Sequence, residues 1–170
     1  MVILFFGIDA APPRGADEPT EAQIMVEAWD ARNRLVTSGL FHPAELSHRL
    51  PDWREWAVVS AKRRTILCLN MLEWVWSLAR GFPVLTCFEL GPLPAPAAGY
   101  LWREGDEREW QRLYGEWLQQ WKDGGYLMAE FFHIKAGKPL DVRSEAWLAE
   151  ADELGVLFMA EVNCQDDLFS

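Results

Sequence analysis

The sequence has few cysteines and no two of them at the spacing of a metal or redox motif. Cys68, Cys87 and Cys164 lie far apart, without a CxxC pair. An odd number of isolated cysteines argues against a closed disulfide framework, and three cannot form a binuclear zinc cluster. The composition therefore fits a reducing compartment inside the cell, nucleus or cytoplasm.

Metal-ligating patterns are also missing among the histidines. The chain has three, His42, His48 and His133, and neither an HExxH motif nor a Cys/His pair at ligand spacing. His42 precedes Pro43 and is interpreted as a turn residue. We predict no metal site and no cofactor.

Basic residues are too few for a nucleic-acid-binding surface. The chain has 16 lysines and arginines against 26 aspartates and glutamates, for a net charge of −10. A phosphate backbone is repelled by such a chain. The one basic cluster, Lys62 to Arg64, is short and is interpreted as a solvated helix stripe. We predict no direct contact with nucleic acid.

No apolar run is long enough to cross a bilayer, which takes roughly 20 residues. The longest, Thr65 to Ala79, is interrupted by Asn70 and Glu73. At the start of the chain an apolar run has no basic segment before it, and Asp9 follows quickly, so it is a poor secretory signal. We predict no membrane partner, and residues 1–16 as an N-terminal segment that forms part of a first helix.

What the sequence does contain is helical periodicity. Asp52 and Glu55 have the spacing of a helix cap, and neither glycine nor proline follows until Gly81, which predicts a long central helix. The second strong helix spans 106–123, where large apolar residues recur every three or four positions. Further helices are predicted from Asp17 to Gly39 and from Ser144 toward Cys164. A short helix is also predicted over 126–134, where the aromatic-rich sequence would suit a strand as the alternative.

These patterns predict one all-α domain over residues 1–170. No stretch shows the sustained alternation of a β-strand. Prolines between Pro83 and Pro96 exclude a helix there, and Leu85, Phe88, Leu90 and Leu93 predict that this connection packs against the helices. The expected architecture is an irregular bundle of about five to six helices around the central one, joined by this proline-rich loop.

Two pairs of polar residues are candidates for acid–base chemistry. Asn70 and Glu73 share a face of the most apolar helix, where burial raises the pKa of an unpaired carboxyl. The alternative for Glu73 is a surface position or a salt bridge to an arginine such as Arg80. Glu130 and His133 lie three residues apart and form either a proton relay or a simple side-chain hydrogen bond. No serine or cysteine has the surroundings of an activated nucleophile.

The tryptophan content is high, with ten in 170 residues. Indoles at helical spacing usually fill a core, but they also line apolar ligand sites. The predicted ligand-binding residues are Trp74, Trp76, Asn70, Trp102, Trp117 and Phe132. The ligand expected for such a site is an apolar molecule such as a terpenoid or a polyketide.

An ordered series of short motifs resembles the regulatory domain of fungal-specific transcription factors. It comprises residues 32–41, Trp53-x-x-Trp56, residues 62–65, 81–83, 88–90, 93–96, 101–102 and 109–110, and the helix 149–161. The resemblance spans about residues 20 to 162 and implies an all-helical regulatory domain. Members of that family normally carry a zinc module for DNA binding, and this sequence shows none.

Three functions follow from these observations. The first is a regulatory domain of a fungal transcription factor that binds an effector or a regulatory protein, as a monomer or a homodimer. The second is a stand-alone, family-derived protein that binds or converts an apolar secondary metabolite; as an enzyme it would be a cofactor-independent cyclase or isomerase. The third is a non-functional piece of a longer factor.

Overall fold

The computed structural model describes residues 18–81 and 88–169. Over these ranges the chain is helical and has no β-strand, which confirms the predicted all-α class. None of the described helices is long and apolar enough to span a membrane. The predicted first-helix segment 1–16 lies outside the described residues.

Eight α-helices follow one another along the described chain. They are α1 (Glu18–Thr37), α2 (Pro43–Leu46), α3 (Trp53–Arg80), α4 (Gly99–Arg103), α5 (Glu107–Gln120), α6 (Met128–Phe131), α7 (Val142–Glu150) and α8 (Glu153–Phe169). The prediction of about five to six was low because α2, α4 and α6 are single turns of four or five residues. Sequence periodicity needs several turns before it becomes visible.

Helix α3 is the central element, as predicted, with 28 residues. The Asp52 carboxylate accepts a hydrogen bond from the Glu55 amide at 3.0 Å and caps its start. Gly81 ends it with φ of 68°, in the left-handed region that favours glycine.

Helix α1 runs antiparallel beside α3. The Lys62 ammonium donates to the Ser38 carbonyl at 3.0 Å at one end of the pair. An ion pair between Arg80 and Glu21 closes the other end. These tethers hold α1 along the part of α3 between Lys62 and Arg80.

The C-terminal region differs from the single helix predicted from Ser144. Helix α7 begins one turn earlier because the Asp141 carboxylate, not Ser144, caps it, accepting from the Arg143 and Ser144 amides. The chain then turns at Ala151, whose ψ is 150°, and α8 starts at Glu153.

Two clusters of buried side chains form the core. The larger lies around the middle of α3 and includes Leu90 and Leu93, which confirms that the proline-rich loop packs inward; Leu85 lies outside the described residues. The loop is also fixed by its backbone, since the Ala95 amide donates to the Tyr126 carbonyl at 2.9 Å. The smaller cluster comprises Trp56, Ala98, Leu101, Trp110 and Tyr114.

Candidate functional site

An open groove lies between α3, α4 and α8, with a volume of about 470 Å³. It is lined by Ala61, Arg64, Thr65, Cys68, Leu69, Leu72, Trp102, Glu153, Leu154 and Leu157. Its size falls within the roughly 300–1,000 Å³ of typical small-molecule sites, and its wall is mostly apolar with few polar groups, as such sites usually are. We call it the α3–α8 groove.

Three side chains join the elements that surround this groove. Arg64 on α3 donates from Nη2 to Oδ2 of Asp152 at 2.5 Å. Its guanidinium carbon lies 4.4 Å from the centre of the Trp102 ring on α4, within cation–π range. Asp152 also accepts from the Leu154 amide at 3.1 Å and thereby fixes the start of α8. The charged end of the groove is therefore held in one geometry.

Arg64 has one further donor at this end. Its Nη1 is buried and has no hydrogen-bond partner among the described residues. Behind Trp102 a space of about 10 Å³, also lined by Ser60 and Leu67, adjoins the same guanidinium. A buried donor without an acceptor costs about 1–3 kcal/mol. An acceptor atom, from a water or from a ligand, is therefore favoured at this point.

Cys68 lines the groove as a neutral thiol. Burial raises its pKa, an effect that the nearby Arg64 partly opposes and the Asp152 carboxylate reinforces. A thiol in this state is a poor nucleophile and a small apolar wall group. This matches the expectation that Cys68 has a structural role.

Glu73 forms a salt bridge, as the less reactive interpretation predicted, but with a different arginine. Its carboxylate lies 2.9 Å from Nη1 of Arg32 on α1, and both side chains are about one quarter exposed. Arg80, the suggested partner, pairs with Glu21 instead. The long separation in sequence between residues 32 and 73 hides this pair from any local pattern.

Glu130 and His133 have separate partners. The Glu130 carboxylate accepts from Nε of Arg143 at 2.6 Å and from the Leu127 amide at 3.0 Å. The Arg143 hydrogen bond holds the pKa of Glu130 below its usual range. The exposed His133 ring lies with Nδ1 2.6 Å from the Ala129 carbonyl. In the described contacts, Glu130 and His133 each stabilise the region of α6 through hydrogen bonds to other residues.

Nine aromatic rings of the described residues pack against one another rather than around an open space. Successive ring centres lie 4.8–6.3 Å apart, the range of ordinary aromatic contacts. This aromatic chain comprises Trp56, Trp110, Tyr114, Trp117, Trp121, Tyr126, Trp147, Phe131 and Phe158. The cavity beside it measures about 40 Å³, room for water but not for a terpenoid.

The six predicted ligand residues are divided between these spaces. Trp102 lines the α3–α8 groove, and Trp117 borders the small cavity. Over the described ranges, four line neither space: Asn70, Trp74, Trp76 and Phe132. Phe132 packs against the larger core cluster.

Sequence reasoning missed the arginines at the centre of the site. The segment 62–64 was interpreted as a solvated stripe, which is wrong for two of its three residues. Arg63 is 4% exposed and forms a bidentate pair with Glu45 at 2.8 Å, while Arg64 pairs with Asp152. A usable signal was the spacing Trp56, Ser60, Arg63, which places Arg63 on the buried face of α3.

Comparison with known proteins adds one relationship. Over 152 residues the chain is 26% identical to the transcription factor gsfR2 of Penicillium aethiopicum. It is similar to a fungal transcription factor. The match covers 85% of this chain and 32% of that protein, so the chain spans about a third of the relative's length. No protein-family model matches the chain, and no solved structure matches it.

Proposed function

We propose that this chain is a regulatory module of a fungal transcription factor that binds an apolar small molecule in the α3–α8 groove and does not itself contact DNA. The observation that carries the proposal is the groove with its fixed Arg64–Asp152–Trp102 end. The similarity to a fungal transcription factor supports the regulatory part. An intracellular location, in the nucleus or the cytoplasm, belongs to the same proposal.

The wall chemistry indicates what kind of molecule fits. Leu69, Leu72 and Leu157 offer apolar surface, and Trp102 offers an aromatic edge. Arg64 is already paired with Asp152, so the end of the groove has little net charge to attract an ion. The ligand is therefore a neutral, largely apolar molecule.

Binding is better supported than conversion of the bound molecule. The Cys68 thiol is protonated, Arg64 is held by Asp152, and the remaining carboxylate, Glu153, is 87% exposed in its side chain. General acid–base catalysis needs a group whose pKa and position suit the reacting atom. The groove supplies a mostly apolar wall with few polar groups, which suits recognition.

The test is a tryptophan-fluorescence and thermal-shift titration with four probes: naphthalene, 1-naphthol, anthraquinone and farnesol. We expect at least one of these neutral, apolar probes to bind. Leu157→Glu places a charge in the groove and should abolish binding. Val156→Glu is the matched control, since Val156 is exposed on the same helix and does not line the groove.

The proposal fails if none of the probes binds, or if the two α8 variants bind equally well. Unchanged circular dichroism of both variants separates loss of binding from loss of folding. A gel-shift titration with duplex DNA at physiological salt tests the other half of the proposal. Retardation of the duplex by the purified chain would overturn it.

A further inference from the structure

The cavity beside the aromatic chain has polar groups in its wall as well as aromatic rings. It measures about 40 Å³ and shares none of its described lining residues with the α3–α8 groove. Glu45 of α2, Arg63 of α3 and Tyr114 of α5 line it, together with residues 94–98 at the end of the proline-rich loop. Four parts of the fold therefore meet at this space.

Arg63 has more hydrogen-bond donors than the surrounding protein uses. Its side chain is 5% exposed, and a guanidinium carries five N–H groups. Two of these N–H groups donate to Glu45, and one donates to the Ser60 hydroxyl. The described residues offer no acceptor to the other two. A buried donor without an acceptor has lost its hydration and gained nothing in return, so a partner inside the cavity is favoured.

The Tyr114 hydroxyl also has no hydrogen-bond partner in the described part of the chain. Tyr114 is 2% exposed. Burial raises the pKa of its phenol, the Glu45 carboxylate raises it further, and Arg63 partly opposes both effects. The hydroxyl therefore stays protonated and can both donate and accept. Tyr126, which lines the same cavity, differs because its hydroxyl lies 2.6 Å from that of Ser144.

The loop contributes hydrogen-bond acceptors to the same wall. The Pro96 carbonyl accepts from the Trp147 indole at 3.0 Å. The carbonyls of Pro94, Ala95 and Ala97 accept none of the described hydrogen bonds. Backbone carbonyls in a protein interior are normally paired with protein groups or with ordered water. The wall of the cavity thus contains donors and acceptors that do not bond to each other.

We propose that this cavity is a binding site for about two or three ordered water molecules, which connect the Tyr114 hydroxyl and the Arg63–Glu45 pair to the carbonyls of residues 94–97. A buried water needs roughly 10–15 Å³ of such space and two to four polar partners, and this cavity provides both. Water suits the wall because it donates and accepts. An apolar ligand of the same size would leave the donors unpaired.

The waters complete the hydrogen bonds of a buried ion pair. The side chains of Arg63 and Glu45 are 5% and 12% exposed. Such a pair offsets its desolvation only when its remaining N–H groups and lone pairs are satisfied. Water-mediated hydrogen bonds are nearly as favourable in enthalpy as direct ones. The network thereby links α5, through Tyr114, to α2 and α3.

A high-resolution crystal structure of the full chain tests the site. We expect one ordered water within about 3.2 Å of the Tyr114 hydroxyl oxygen and a water at a similar distance from a nitrogen of Arg63. A cavity without ordered water overturns the proposal. A direct hydrogen bond from the Tyr114 hydroxyl to a protein group overturns it as well.

Two tyrosine variants test which group holds the water. Tyr114→Phe should lose at least one of the cavity waters, because it removes a partner and changes the volume little. Tyr126→Phe is the matched control, since it removes a hydroxyl from the same wall but one that is bonded to Ser144, and it should keep all of them. The proposal is overturned if Tyr114→Phe keeps every water or if the two variants lose the same number.

Oxygen-17 relaxation dispersion of water counts the slowly exchanging internal waters in solution. The double variant Glu45→Leu, Arg63→Met replaces the ion pair by apolar side chains, so its count should be lower than that of the wild type by about two or three. A count equal to that of the wild type overturns the proposal. Circular dichroism spectra that match the wild type show that the lower count does not come from loss of folding.

Discussion

Arg63 carries its charge into the interior of the protein, where its side chain is 5% exposed. Glu45, 12% exposed, neutralises it through two hydrogen bonds of 2.8 Å and thereby ties the single turn α2 to the central helix. Desolvation of two charges cancels much of their attraction, so such a pair adds little net stability. Removal of one partner, however, leaves a buried charge.

The first prediction concerns this pair. Glu45→Ala should lower the free energy of unfolding by about 3–5 kcal/mol, because Arg63 remains buried without a counter-charge. The double variant Glu45→Leu, Arg63→Met should lose far less free energy of unfolding than Glu45→Ala, because it leaves no unpaired buried charge. Urea denaturation followed by circular dichroism measures both. Glu116→Ala, at the exposed pair with Arg112, is the control; an effect of Glu45→Ala no larger than this control would contradict the prediction.

Glu161 on α8 gives the second prediction. Burial raises its pKa from 4.5 to about 7. Between pH 4.5 and about pH 7 the unfolded chain releases the Glu161 proton, whereas the folded chain keeps it. The free energy of unfolding therefore falls as the pH rises through this range. Glu161→Gln should remove that fall and stabilise the protein above pH 7 by up to about 3 kcal/mol. Melting temperatures of the wild-type and Glu161→Gln proteins from pH 4 to 8 measure the difference. Parallel curves of melting temperature against pH would disprove the prediction.

At the scale of elements, the turn between α7 and α8 depends on a close contact. A Cβ added at Gly155 would lie 2.5 Å from the Cβ of Ala151 and 3.4 Å from the Trp147 ring. Only glycine lets the first turn of α8 pack this closely against the end of α7.

The third prediction follows from that contact. Gly155→Ala should destabilise the protein by about 1–3 kcal/mol, because the overpacking outweighs the better helix propensity of alanine. Adding Ala151→Gly removes the opposing methyl and should recover most of the loss. Thermal unfolding of the two single variants and the double variant measures the coupling. Additive effects would show that the two positions do not clash.

Elements with several turns were predictable, and elements fixed by distant partners were not. Helices α3 and α5 have local caps, Asp52 and Asp106, and uninterrupted periodicity. The break before α8 depends on Asp152, whose carboxylate is held by Arg64, 88 residues away. No local pattern shows such a bond. No local pattern predicts the groove either. Of the residues that line it, only Trp102 was among the predicted ligand-binding residues.

At the scale of the whole molecule, the charge of −10 is the dominant long-range property. It gives the fourth prediction: the chain should not retard duplex DNA at physiological salt, because phosphate contacts need clustered lysine and arginine. The arginines of the described basic cluster are engaged internally, Arg63 with Glu45 and Arg64 with Asp152. An electrophoretic titration against a basic DNA-binding domain as positive control measures this. A salt-sensitive complex would disprove it.

The aromatic chain couples the fluorescence of several tryptophans, because their rings are close enough to exchange excitation energy. Light absorbed at Trp56 can pass between rings 4.8–6.3 Å apart as far as Trp147, so emission reports the whole series rather than any single indole. Trp102 packs against the smaller core cluster, at one end of this series. A quencher bound in the groove beside Trp102 should therefore lower the emission of several tryptophans at once. The intrinsic fluorescence of the protein should then respond more strongly to binding than that of a single tryptophan would.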